Sequence, residues 1–463
     1  MKNKSITTVF LWQLLGKFAI QGISFLTVPM FTRIMTPTDY GLYAVYSSWL
    51  SFLSLFIGLQ TSASIANAKI KYSFSDYKEY LSSVLSISFF SFLFIFIIAF
   101  VFRKKIGTTL GFNEYLVVFM VLQSFFNYCF NFYLTILMQD KNSKQNALYA
   151  SLVSLSGTLL ALVFVINFSY YKYVLKIFGY AIPIFISGLL SIFVIYKEGK
   201  KLFNRRYWSF CLTFSLPLIM HGAACIVLNQ SDRIMLKTLQ NESLTGIYSV
   251  AYNLALVINV IAIAANTAWI PFYYEYEKKD NYLQIREKFK NYLFNFTIIT
   301  LGFTLCCPEV FKIIAPKGYW QGLQLLPIIA LSYYFDFLYM FSVNFELYME
   351  KVKYISSATI IAAVINIVGN YFLIPKYGII GAGITTLYSY IFLLVFHDIV
   401  ARFVIKEKEF FINITSYAKG FVPVSLMVCL YYFMLNLWYV RWSLAVILGI
   451  ILLIRIIKNR GFF

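Results

Sequence analysis

Charge is scarce in this 463-residue chain. Asp, Glu, Lys and Arg together make up 13% of it, about half the share of an ordinary soluble domain. No polar stretch is long enough for a separate soluble domain. The longest connections, Tyr274–Tyr292, Lys197–Trp208 and Arg402–Lys419, run to about 20 residues at most. Histidine occurs twice, at His221 and His397, and neither His-Glu-x-x-His nor paired Cys-x-x-Cys is present, so no metal site is expected. The six cysteines (Cys129, Cys211, Cys225, Cys306, Cys307, Cys429) fall within or beside apolar runs and read as packing residues, not a disulfide framework. A Gly-x-x-x-x-Gly-Lys-[Ser/Thr] phosphate loop is missing, which excludes a built-in ATPase of that type. No catalytic residue and no cofactor are expected.

What is there is hydrophobic. Apolar residues make up 60% of the chain and the mean hydropathy is +0.73. Apolar runs recur from Phe10–Phe31 to Trp442–Ile457, about fourteen in all, each about long enough to cross a bilayer. The first run exceeds the apolar core of a signal peptide and lacks the small-residue cleavage pattern, so it is expected to stay in the mature protein. With the N-terminus in the cytoplasm, most of the Lys and Arg fall on cytoplasmic segments, including the clusters Lys197 to Arg206 and Lys278 to Lys290. The run Arg103-Lys104-Lys105 is the exception. Both termini are therefore expected in the cytoplasm. The net charge of +20 follows mostly from this bias; it favours anionic lipid headgroups and implies no nucleic-acid partner.

The chain also repeats itself. Arg33-Ile34-Met35 leads to Gly41-Leu42-Tyr43, and Arg233-Ile234-Met235 leads to Gly246-Ile247-Tyr248. Asn131-Phe132-Tyr133-Leu134 is echoed by Asn344-Phe345-Glu346-Leu347. Two like-oriented copies of a helical bundle account for both echoes. The expected fold is all-α and membrane-embedded: two six-helix lobes, 1–200 and 201–405, related by a pseudo-two-fold along the membrane normal. Two additional transmembrane helices occupy 406–463. A cleft between the lobes is the expected site.

Polar residues at helical spacing mark faces turned away from lipid. Span one offers Gln13, Lys17 and Gln21; span four offers Gln123, Asn127 and Asn131; span seven offers His221, Asn229 and Asp232 with Arg233; span eight offers Tyr248, Tyr252 and Asn259. Lys17, Arg33 and Arg233 are candidate cations for an anionic substrate, and the Asn, Gln and Tyr residues are candidate lining. Helix-to-helix hydrogen bonding is the plainer alternative for the uncharged groups. Asp336, Glu346 and His221 are candidates for protonation coupling. A structural ion pair of either carboxylate with Lys17 or His221 is the alternative.

Three segments carry a family resemblance. Asn229-Gln-Ser-Asp232-Arg233-Ile-Met followed by Gly246-Ile-Tyr248, Leu373-Ile-Pro375-Lys376-Tyr-Gly378-Ile-Ile-Gly381-Ala-Gly383, and Thr36-Pro37-x-x-Tyr40-Gly41-Leu-Tyr43 are similar to segments of Wzx-type polysaccharide flippases. Those proteins belong to the multidrug/oligosaccharidyl-lipid/polysaccharide transporter superfamily. The resemblance implies translocation of an undecaprenyl-pyrophosphate-linked oligosaccharide, an O-antigen or capsule repeat unit, across the bacterial cytoplasmic (inner) membrane. It implies membrane lipids, a polysaccharide polymerase and a chain-length regulator as partners. A lipid II flippase and a multidrug exporter of the same fold are alternatives, and a membrane glycan polymerase or ligase is the alternative of another class. A cationic lumen disfavours the exporter of cationic drugs, and the short outer loops offer an enzyme little room for a catalytic site.

Overall fold

In the computed structural model, residues 6–405 and 410–458 are described, and side chains before Ala19 are described only at Trp12, Leu15 and Gly16. The described chain is helical throughout. The first eight helices are α1 (Ile6–Ile34), α2 (Pro37–Gly58), α3 (Ile65–Lys71), α4 (Phe74–Val101), α5 (Arg103–Leu110), α6 (Glu114–Gln139), α7 (Ser143–Asn167) and α8 (Lys172–Gly199). Then come α9 (Arg205–Leu239), α10 (Glu242–Lys278), α11 (Tyr282–Ile314), α12 (Leu326–Tyr348), α13 (Val352–Ile399), α14 (Ile414–Met434) and α15 (Trp438–Lys458). Twelve of these are long and apolar enough to cross a membrane. Counting α13 as two spans and adding α1 recovers the fourteen apolar runs of the sequence.

Helix boundaries follow local chemistry. Thr36 accepts from the Asp39 amide (3.1 Å) and donates to its carboxylate (2.8 Å), capping α2, where Pro37 sits with its missing N–H at no cost. Asn241 does the same job for α10 by accepting from the Leu244 amide at 2.8 Å. The charged segment read as a loop near Tyr274–Tyr292 is instead helix extension: α10 runs to Lys278 and α11 begins at Tyr282. An i,i+4 pair of Glu275 and Lys279 (2.6 Å) supports the end of α10, a short turn in which Asp280 holds φ 50° separates the two helices, and Asn281 caps the next start. At 37 residues α10 spans about 55 Å, well beyond the ~30 Å hydrocarbon layer.

Within α13 the residues Ile374–Gly381 fold back on themselves. Gly378 holds φ 55°, ψ −128°, a backbone open to glycine and costly for any other residue. The two arms then run side by side. A Cβ placed on Gly369 would lie 2.6 Å from Thr385 Cγ2, and one on Gly381 would lie 2.4 Å from the Leu373 carbonyl.

The chain divides into two compact units. The first comprises residues 1–35 and 42–226, and the second comprises 36–41 and 227–463. The division falls inside α9, after Ile226. In the first unit α8 packs on α7, α6 and α4. Small residues permit it: a Cβ on Gly179 would meet the Ala161 backbone at 2.3 Å, so only glycine allows this approach of α8 to α7. In the second unit the centre is α12, buried along most of its length against α10, α11, α13 and α14. Its rings Tyr333, Tyr334, Phe337 and Phe341 are all close to fully buried. The α14–α15 pair belongs to this unit, packed on α11. All six cysteines are free, and Cys129, Cys211 and Cys307 are buried packing residues.

Candidate functional site

The densest buried polar cluster lies in the second unit around Asp232, a residue of the span-seven stripe to which the sequence assigned no role. Its side chain, 1% exposed, receives three hydrogen bonds from three different segments. Tyr248 of α10 donates at 2.5 Å and Thr386 of the second α13 arm at 2.8 Å, both to Oδ2, while Asn370 of the first arm donates to Oδ1 at 2.6 Å. Asn366, one turn earlier, accepts from Ser231 at 2.6 Å and from Asn370 at 3.1 Å. The amide atoms Asn370 Oδ1 and Asn366 Nδ2 are buried with no hydrogen-bond partner. Such an arrangement is costly in an apolar layer unless something further satisfies it. Its donor set is all hard oxygen: carboxylate, amide carbonyl and hydroxyl. That chemistry suits a proton or an alkali cation and not a soft transition metal. Among the described residues no group of three or more His, Cys, Asp and Glu is assembled.

Arg233 follows directly and is 7% exposed. Its Nη1 donates to the Asn229 carbonyl at 2.7 Å and to Gln230 Oε1 at 2.9 Å, and its guanidinium lies 4.7 Å over the Tyr252 ring. That geometry orients the guanidinium while sharing its charge with a π face. Tyr248 and Tyr252, read as rings for sugar stacking, are buried at 0% and 2% exposure. Tyr248 is engaged with Asp232 and Tyr252 with Arg233, so in this structure both rings serve the cluster. Asn259 donates to Asp336 at 2.8 Å, which ties α10 to α12.

Glu346 is paired with His397. Its Oε1 lies 2.8 Å from Nδ1 of His397, with both side chains at 1% exposure or less. His397 is stacked on Tyr339 with ring centroids 5.7 Å apart. The partner was hidden because 51 residues and a helix reversal separate the two in sequence. His221 lies in the first unit, half-buried, its Nε2 3.8 Å from Cys225 Sγ and its Nδ1 without a hydrogen-bond partner.

Most of the remaining candidates fall in the first unit, and Asn229 belongs to the second. Gln123 is buried and accepts from Tyr46 at 2.7 Å, a tie between α6 and α2. Asn127 donates to Ser54 at 3.3 Å, and Asn131 reaches back to the Asn127 carbonyl at 2.8 Å with its own side chain exposed. Arg33 and Gln21 are exposed on α1, and Asn229 is exposed on α9. The side chains of Gln13 and Lys17 lie outside the described residues. A buried cation that the sequence reading passed over is Lys176 of α8. It is 3% exposed, with Nζ 4.0 Å from both the Phe31 and the Tyr43 ring centroids. Its place at the edge of an apolar run made it look interfacial; a cation–π enclosure left no mark in the linear pattern.

The chain is similar to several known proteins. A protein of the Lsg locus of Haemophilus influenzae is 25% identical over 393 residues, 80% of this chain and 93% of its own length. The succinoglycan biosynthesis transport protein ExoT of Rhizobium meliloti is 24% identical over 265 residues, 57% of this chain and 52% of its own. The structure of the lipid II flippase MurJ in an inward closed conformation superposes with a TM-score of 0.72 at 16% identity, covering 97% of each chain. An inward-facing multidrug resistance MATE family transporter of the MOP superfamily superposes at 0.57, with 15% identity over 92% of this chain and 96% of that one. Residues 7–277, more than half of the sequence, match the family described as polysaccharide biosynthesis protein; the chain belongs to that family and shares its fold with these solved structures.

Proposed function

We propose that this protein moves a lipid-linked oligosaccharide from the inner to the outer leaflet of the bacterial cytoplasmic membrane for assembly of a surface polysaccharide. The observation that carries the reading is the family match over residues 7–277 on a fold shared with transporters. An undecaprenyl-pyrophosphate-linked repeat unit of an O-antigen or capsule is the specific cargo proposed. Its diphosphate would be met by cations presented from spans one and seven. Arg233, held over Tyr252, and Arg33, exposed at the end of α1, are the described candidates, and Lys17 joins them on its sequence position alone. Asn127, Asn131 and Asn229 offer amides to the sugars. Asp232 is the group at which a proton or alkali cation would be exchanged during the cycle, since its carboxylate is shared by α9, α10 and both arms of α13. A polymerase and a chain-length regulator would take over the cargo on the outer side.

The test is translocation of a defined lipid-linked oligosaccharide by the purified protein in proteoliposomes. Transfer to the far leaflet, lost on Arg233→Gln with insertion intact, supports the reading. Transfer of lipid II alone would assign the protein to peptidoglycan precursors. Elongation of the glycan without transfer would replace transport by polymerisation.

A further inference from the structure

A cleft of about 610 Å³ opens between α11 and α15, away from the Asp232 cluster. Glu287, Lys288 and Asn291 line it from the first turns of α11, and Arg455 and Lys458 from the last turn of α15. Beneath them lie Phe294, Ile451 and Ile454, so the cleft has a charged mouth and an apolar floor. Arg455 is held in place: Nη2 donates to Asn291 Oδ1 at 2.9 Å, and the guanidinium stacks 3.8 Å from the Phe294 ring centroid. A guanidinium has five N–H donors, and the bond to Asn291 uses one of them. The start of α11 and the end of α15 share the end of the bundle that the Lys and Arg distribution assigns to the cytoplasm. Along α15 the outer face is bare and apolar, with Leu453 61% and Ile457 76% exposed, as a helix facing acyl chains would be.

We infer that this cleft is a binding site for the phosphate of an anionic glycerophospholipid of the inner leaflet. Three cations against one carboxylate give the mouth a positive balance, and a diphosphatidylglycerol headgroup supplies two phosphates to match it. Its acyl chains continue over Phe294, Ile451 and Ile454. A soluble anion would leave that apolar floor uncovered, so charge and floor together select a lipid. Arg455 and Asn291 orient one phosphate, while Lys288 and Lys458 add positive charge at the mouth.

The experiment is native mass spectrometry of the full-length protein released from detergent, titrated with cardiolipin, phosphatidylglycerol or phosphatidylcholine. One cardiolipin is expected to bind about tenfold or more tighter than phosphatidylcholine, on the scale of about 1 kcal/mol per basic residue at a membrane surface. Lys288→Gln/Lys458→Gln, both outside the packed interior, should reduce that preference several-fold, and adding Arg455→Gln should abolish it. Unchanged thermal unfolding of the double variant certifies the fold. Equal retention of the anionic and zwitterionic lipids, or a preference untouched by the double variant, overturns the inference. So does competition by millimolar inorganic phosphate, which would mark a site for a free anion. Tighter binding of undecaprenyl phosphate than of cardiolipin also overturns it, by giving the cleft to the carrier lipid.

Discussion

Gly41 and Gly246, which hold the same place in the two halves of the sequence, meet in the structure. A Cβ on Gly41 would lie 1.9 Å from the Glu242 carbonyl oxygen, and one on Gly246 would lie 1.9 Å from that of Pro37. The first turns of α2 and α10 therefore cross with their backbones in contact. The neighbourhood is held by Asn253, which donates to the Tyr40 hydroxyl at 3.3 Å, and by Tyr40 edge-on to Tyr319 at 6.2 Å.

Because the obstructing atoms are backbone, no rotamer can relieve a side chain there. Gly246→Val is expected to exclude this conformation, at a cost of about 3 kcal/mol or more for an overpacked contact that cannot relax. Cysteine accessibility along α2 and α10 in membranes should rise in the variant, and surface glycan should fall. Accessibility identical to the parent would show that the crossing yields easily.

Glu346 and His397 form a buried hydrogen-bonded pair. His397→Ala leaves the Glu346 carboxyl without this partner and is expected to lower stability by about 1–3 kcal/mol, whereas Glu346→Leu/His397→Leu should recover much of the loss. Thermal unfolding of the purified protein reads both. A double variant no better than the single one would point to lost packing with Tyr339 as the larger effect.

Asp232 is expected to govern coupling and not assembly alone. Asp232→Asn keeps the size and one acceptor oxygen for Tyr248 and Thr386, and its new NH2 can meet the open Oδ1 of Asn370 once that amide turns over, so the protein should fold without the ionisable group. Its transport rate should lose dependence on a pH or alkali-cation gradient and fall at least about tenfold, the kinetic equivalent of about 1.4 kcal/mol. Proteoliposome assays with imposed gradients decide. A rate that still follows the gradient would move the coupling site elsewhere.

Arg441 clamps the C-terminal helix pair. At 0% exposure it donates to Glu309 of α11 at 2.8 and 2.5 Å, to the Leu305 carbonyl at 2.7 Å, and to the carbonyls of Met434 (2.9 Å) and Leu435 (3.1 Å) at the end of α14. Lysine cannot reproduce this fork. Arg441→Lys is expected to destabilise the protein by about 2–4 kcal/mol and to free α14–α15 for limited proteolysis; an unaltered cleavage pattern would contradict the clamp.

The apolar runs, the helical class and the repeated glycines were legible in the sequence because each is a property of about twenty consecutive residues or of two short matching strings. Of the stripe residues, Asp232, Arg233, Tyr248, Asn259, Asp336 and Glu346 lie buried or half-buried in one unit. The stripes named faces without naming neighbours. Asn366, Asn370 and Thr386 stood as isolated polar residues in an apolar run until the reversal at Gly378 set two of them against Asp232. The helical extension to Lys278 and from Tyr282 was missed for the opposite reason, since a charged stretch reads as loop although only the short turn around Asp280 interrupts the helices.

Hydropathy by itself decided that this chain is an all-helical, membrane-embedded bundle. Free energies of transfer act on each segment almost independently of the others. Which groups share a charge was decided by tertiary structure alone: His397 with Glu346, Arg441 with Glu309, Lys176 with Phe31 and Tyr43. Such partners lie dozens of residues apart, and the rotation of each helix about its axis, set by packing on all its neighbours at once, determines whether they meet.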